Sequence, residues 1–128
     1  MQKYNVAGWF EIYVNDISRA KKFYETVLQV QLQTLEVPGS EDLLMEAFPM
    51  SPDDLPGASG SLVQMEGMQA GGNSTIIYFS SMDCSVEEAR VVDAGGEVFK
   101  TKMSIGDYGF ISLCVDTEGN IFGIHSMN

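Results

Sequence analysis

The strongest constraint in this 128-residue sequence is that one order of secondary-structure signals occurs in it twice. Residues 7–14 alternate, with Trp9, Glu11 and Tyr13 on one side and Phe10, Ile12 and Val14 on the other, which is the period of a strand. Asn15 and Asp16 then offer N-cap oxygens to a helix whose apolar residues, Ile17, Ala20, Phe23, Tyr24, Val27 and Leu28, recur at steps of three and four. Shorter strand signals follow at 31–37, 43–48 and 60–64, the last two separated by the turn-rich stretch 49–59. Residues 67–73 are low in bulk and read as a flexible link. After them the order returns: a strand at 75–80, a helix at 84–94, and strands at 97–102, 109–115 and 121–126. Ser85 and Glu88 have the spacing of a capping box, and Gly95-Gly96 of a helix stop. An offset of 67 residues sets Asp16 on Asp83 and Tyr24 on Val91 with few identities, so the repeat is one of architecture.

A half-sheet with a single helix covers only one of its faces. Two such units predict an α+β fold in which two βαβββ modules, about 6–66 and 74–127, form a cupped mixed sheet around a central cleft, with the helices outside. At ~100–200 residues per domain the whole of 1–128 reads as one domain. Alternation assigns the cleft lining: Trp9, Glu11 and Tyr13, then Ile76, Tyr78 and Ser80, then Ile121, Gly123 and His125.

Charge narrows the ligand. Seven Lys and Arg stand against eighteen Asp and Glu, a net charge of −11, and no base occurs between Lys22 and Arg90 while eleven acids do. The acidic middle implies a solvated face or the rim of a site for a neutral or cationic ligand, and argues against nucleic acid and anionic membranes as partners. Residues 1–6 lack the pattern of a signal peptide and no apolar run approaches ~18 residues, so a cytoplasmic location is expected. Cys84 and Cys114 form no C-x-x-C pair and read as reduced thiols.

The local strings Val14-Asn15-Asp16-Ile17, Ala94-Gly95-Gly96-Glu97-Val98 and Asp116-Thr117-Glu118-Gly119-Asn120, set in the paired modules, resemble the vicinal oxygen chelate superfamily, which includes glyoxalase I, bleomycin-resistance proteins and extradiol dioxygenases. Trp9-Phe10-Glu11-Ile12 and Gly123-Ile124-His125-Ser126 look like a glyoxalase-related branch whose reactions are mostly unassigned. The resemblance implies metal ligands, His or Glu, on the first, fourth, fifth and eighth strands. Here those positions fall on Trp9, on one of Leu62, Val63 and Gln64, near Ile76, and on Gly123, so no standard metal site and no cofactor are expected.

Glu11 and His125, the only histidine, each lie two residues beyond a vacated ligand position. As a carboxylate and an imidazole they are the candidate catalytic pair for a lyase or isomerase related to lactoylglutathione lyase; a structural ion pair is the competing reading. Trp9, Tyr13, Tyr78 and Tyr108 are the candidate ligand-binding aromatics, with core packing as their alternative, and residues 104–109 suit a movable lid or an ordinary turn. Three functions remain open: a small-molecule lyase or isomerase, sequestration of a cationic small molecule, and a metalloenzyme with a divalent ion displaced to Glu11 and His125. The resemblance also implies a homodimer, which would cover otherwise open sheet edges.

Overall fold

The computed structural model describes residues 7–36, 42–50 and 57–128. Parts of the expected N-terminus, of the 31–37 strand and of the 49–59 turn region, with Glu41, Asp53 and Asp54, lie outside those residues.

The elements run β1 (Trp9–Tyr13), α1 (Ile17–Leu28), β2 (Gln33–Leu35), β3 (Leu43–Ala47), β4 (Ser59–Met65), β5 (Tyr78–Ser80), α2 (Cys84–Val91), β6 (Glu97–Ser104), β7 (Phe110–Val115) and β8 (Ile121–Ser126). The two βαβββ modules are present, and they have the same topology. One sheet has the order β1-β4-β3-β2 and the other β5-β8-β7-β6, each with its first strand parallel to its last and the remaining pairs antiparallel. The offset of 67 residues is visible in the caps: Asp16 accepts from Arg19 N at the start of α1, and Asp83 from Ser85 N at the start of α2.

The half-sheets form two separate ladders. Their first strands meet through side chains: the Phe10 ring of β1 lies 6.3 Å from that of Phe79 in β5, edge to face. Phe48, Tyr24, Phe23 and Phe122 extend this cluster, with ring centroids 5.0 to 5.9 Å apart. The five buried residues of α1, Ile17, Ala20, Phe23, Tyr24 and Val27, repeat at helical spacing and touch both modules.

A second junction is polar. The Asp116–Asn120 turn docks against the start of α1, where the Glu118 carboxylate accepts from Asn15 N (3.0 Å), Asp16 N (2.9 Å), Arg19 Nε (2.7 Å), Arg19 Nη2 (2.9 Å) and Thr117 Oγ1 (2.8 Å). Tyr24 OH donates to Asp116 Oδ2 at 2.6 Å in the interior, while Asp116 Oδ1 accepts from Glu118 N and Asn120 N. Burial lifts the Asp116 carboxyl above its usual range, against the pull of these donors, and drives the Tyr24 phenol well above its own.

Three local expectations are corrected. Residues 67–73 are pinned: Ala70 N donates to Asn15 Oδ1, Gly71 N to Asn120 Oδ1, and Asn73 Nδ2 to the carbonyls of Thr75 and Ile121. The Ser85–Glu88 capping box is absent, because Asp83 takes the cap and Glu88 turns to Lys102 N and Ser112 Oγ. The fifth strand begins at Tyr78, after the Asn73 to Thr75 bond turns the chain. Both cysteines are free and buried, and among the described residues no helix is long and apolar enough to cross a membrane.

Candidate functional site

Helices cover only one face of each sheet. On β1, Phe10 and Ile12 pack inward, leaving Trp9, Glu11 and Tyr13 on the helix-free face. Pairing with β4 sets Trp9 opposite Ser59, Glu11 opposite Ser61 and Tyr13 opposite Val63, and pairing with β3 sets Ser61 opposite Ala47. Directly opposed residues share a face, so the fourth-strand residues beside Trp9 and Glu11 are serines. Of the three positions considered for a metal ligand there, Leu62 is core, Gln64 accepts from Ile17 N, and Val63 faces Tyr13.

Glu11 is held at both carboxylate oxygens. Tyr13 OH donates to Oε1 at 2.7 Å and Trp9 Nε1 to Oε2 at 3.2 Å, so the two rings flank the anion. The bond to Glu11, then partial burial and the negative charge, hold the Tyr13 phenol above its usual range, keeping it a donor. Glu11 and Tyr13 open onto a cavity of about 240 Å³ at the seam between the modules, whose floor includes Tyr24, Ile77 and Phe122 and whose rim includes Asn73.

The second sheet carries the other candidates. His125 Nε2 lies 2.6 Å from the Tyr108 carbonyl oxygen. A carbonyl only accepts, so Nε2 carries the hydrogen and, in the neutral ring, Nδ1 is left as an acceptor. Ile105 N also donates to Gly109 O, so residues 105–109 form a closed turn clasped to β8. Tyr108 is 76% exposed and Tyr78 44% exposed, and Tyr78 lies over Gly123, its register partner.

Trp9, Glu11 and Tyr13 are thus one cluster, and Tyr108 and His125 are joined in another. No hydrogen bond or ion pair links Glu11 to His125 among the described residues, because their strands belong to different ladders. Ser61 was missed by sequence reasoning, although the alternation Ser59, Ser61, Val63 held the signal.

A Cβ on Gly123 would press into the Tyr78 ring, the end of a half-exposed side chain with room to turn. Gly123→Ala is therefore expected to cost under about 1 kcal/mol while moving Tyr78 off β8, visible as a change in near-UV circular dichroism with little change in Tm.

The fold has solved counterparts. Glyoxalase I from Zea mays superposes with a TM-score of 0.73 at 20% identity over 93% of this chain and 45% of the maize chain, so the present chain spans about half its length. An antibiotic-binding protein from Streptomyces sp. CB03234 matches with a TM-score of 0.70 at 19% identity over 98% of each chain. A glyoxalase/bleomycin resistance protein from Albidiferax ferrireducens T118 gives 0.64 at 19% identity over 95% of this chain and 98% of its own. This is the fold of the vicinal oxygen chelate proteins. No family model matches the sequence. No curated protein matches it.

Glyoxalase-fold proteins commonly hold a divalent metal, and the donor set here does not fit one. The positions that would supply ligands carry an indole, an isoleucine and a glycine, at Trp9, Ile76 and Gly123, with serines on the facing part of β4. Among the described residues no three or more His, Cys, Asp or Glu side chains are grouped to hold an ion.

Proposed function

We propose that this protein binds a flat, cationic small molecule on the helix-free face of the first sheet, as a sequestering member of the glyoxalase and bleomycin-resistance group. The observation that carries this reading is the Glu11 carboxylate fixed between the Trp9 and Tyr13 side chains, an anion set directly beside two aromatic rings. The acidic middle of the chain agrees in sign, with no base between residues 22 and 90, and raises the local concentration of cations. The antibiotic-binding neighbour, matched over 98% of both chains, supports binding as the function of this arrangement.

The second sheet supplies the opposite wall in this proposal. Its helix-free face presents Tyr78 and His125, with the exposed Tyr108 in the turn that His125 clasps, and a homodimer that lays this face over the first sheet of a second copy would close the cleft. In such a cleft, Glu11 of one protomer and His125 Nδ1 of the other would be available for acid or base work on a bound substrate. That is the lyase or isomerase reading, and only the His125 clasp favours it.

Trp9 is the only tryptophan, so its fluorescence reports this site alone. Titration with 1-methylquinolinium is expected to quench Trp9 saturably, and the neutral isostere 1-methylnaphthalene to bind at least about tenfold more weakly. Glu11→Gln should remove most of that preference. Equal binding of the two compounds, or an unchanged preference in the variant, would sink the cationic reading.

A further inference from the structure

Among the described residues, Ser61 Oγ is buried and has no hydrogen-bond partner. The other such atom among them, Glu46 Oε1, sits 3.2 Å from Lys21 Nζ and so has a charge to face, whereas Ser61 has none there. A hydroxyl removed from water with nothing to bond costs stability, and such a group calls for a specific explanation. Its place supplies one. Ser61 lies on the helix-free face, with Glu11 beside it on β1 and the methyl of Ala47 beside it on β3. Ala47 has no side-chain polar atom to offer, and Glu11, whose oxygens each accept one bond from Trp9 or Tyr13 and keep capacity for a second, makes none to Ser61.

We propose that Ser61 and Glu11 together form a two-point acceptor for a ligand cation that carries N–H donors, an amidinium or a primary ammonium on a flat aromatic body. Glu11 neutralises the charge and takes one N–H, and the Ser61 oxygen takes a second, so the pair selects for donors as well as for charge. A quaternary ammonium satisfies Glu11 electrostatically and leaves Ser61 unbonded. Because hydrogen-bonding sites reject analogues that lack the matching group more strongly than apolar pockets reject a change of size, this hydroxyl would set specificity. The inference rests on the binding reading above, and sharpens it to one class of cation.

Benzamidinium, which has N–H donors, and benzyltrimethylammonium, which has none, test it on the wild-type chain and on Ser61→Ala, with Trp9 fluorescence for affinity and thermal melting of the free protein for stability. The expected result is that benzamidinium binds about tenfold more tightly than benzyltrimethylammonium in the wild type, and that Ser61→Ala brings the ratio close to one while leaving benzyltrimethylammonium unaffected. The free variant should melt at the same temperature or a few degrees higher, since it loses an unbonded buried hydroxyl. A ratio that survives Ser61→Ala, or a variant that melts several degrees lower or fails to fold, overturns the proposal while leaving the cation site standing. If neither compound perturbs Trp9, the binding reading itself fails and takes this one with it.

Discussion

Glu118→Ala is expected to destabilise the protein by about 3 kcal/mol, seen as a fall of roughly 10 °C in Tm. The Glu118 side chain is fully buried, yet it accepts from the backbone N–H groups of Asn15 and Asp16 at the α1 start, from Nε and Nη2 on one edge of the Arg19 guanidinium and from Thr117. Truncation strands those donors and unfastens the second module from the first helix. Arg19 is half exposed and can return to water, which keeps the cost near the lower end for a broken buried pair. A loss below about 1 kcal/mol would show that the aromatic cluster alone holds the modules together.

The same group sets the acid limb of the stability curve. Although burial works against it, the bonds from Arg19, Thr117 and the α1 start hold the Glu118 carboxyl at about 2, below its ordinary 4.5. A depressed folded-state value stabilises the protein above the unfolded value, and that contribution is lost as pH falls from about 4.5 towards 2. Asp83, held at about 2 chiefly by Ser85 and Lys102, acts in the same direction, whereas Asp116, raised by burial, is relieved on protonation and opposes it. The Glu118→Ala chain should therefore show a flatter loss of stability across that window in acid titrations followed by circular dichroism.

Gly96→Ala should cost as much, about 3 kcal/mol, and Gly95→Ala nearer 1 kcal/mol. Both residues follow α2, but for different reasons. Gly95 has φ +105°, a left-handed conformation in which a side chain is strained. A Cβ on Gly96 would instead drive into the Val115 carbonyl and come within 2.7 Å of the Phe23 ring, at the packed junction of the two modules. Neither backbone nor buried ring can step aside. Chemical denaturation of the two variants tests the ranking, and a Gly95→Ala loss larger than that of Gly96→Ala would show that strain, not crowding, governs this corner.

Much of the fold was legible because it is encoded locally. The alternation of residues 9–14 sorted the two faces of β1 correctly, and helical spacing in α1 named its buried residues. Asp16 proved to be the N-cap of α1, as its place before the apolar repeat indicated, whereas α2 is capped by Asp83 and not by the expected Ser85. Within the site, the same alternation put Trp9, Glu11 and Tyr13 on one face, where they bond to one another across two-residue spacings. These are properties of neighbours along the chain, fixed by the periods of strand and helix.

Contacts between distant segments were another matter. Glu118 reaches Arg19 across 99 positions and His125 bonds the carbonyl of Tyr108, a group no side-chain pattern marks. The link at 67–73 looked loose by composition and is ordered by asparagines from both modules. The orphaned Ser61 was invisible for the same reason, since a serine in a strand is ordinary until the register sets it against Glu11 and Ala47. Residue pattern alone specified the two modules, their faces and the chemistry available on them. Which groups meet was settled by the folded chain, because pairing register and the packing of one module on the other depend on the whole chain's burial of apolar surface.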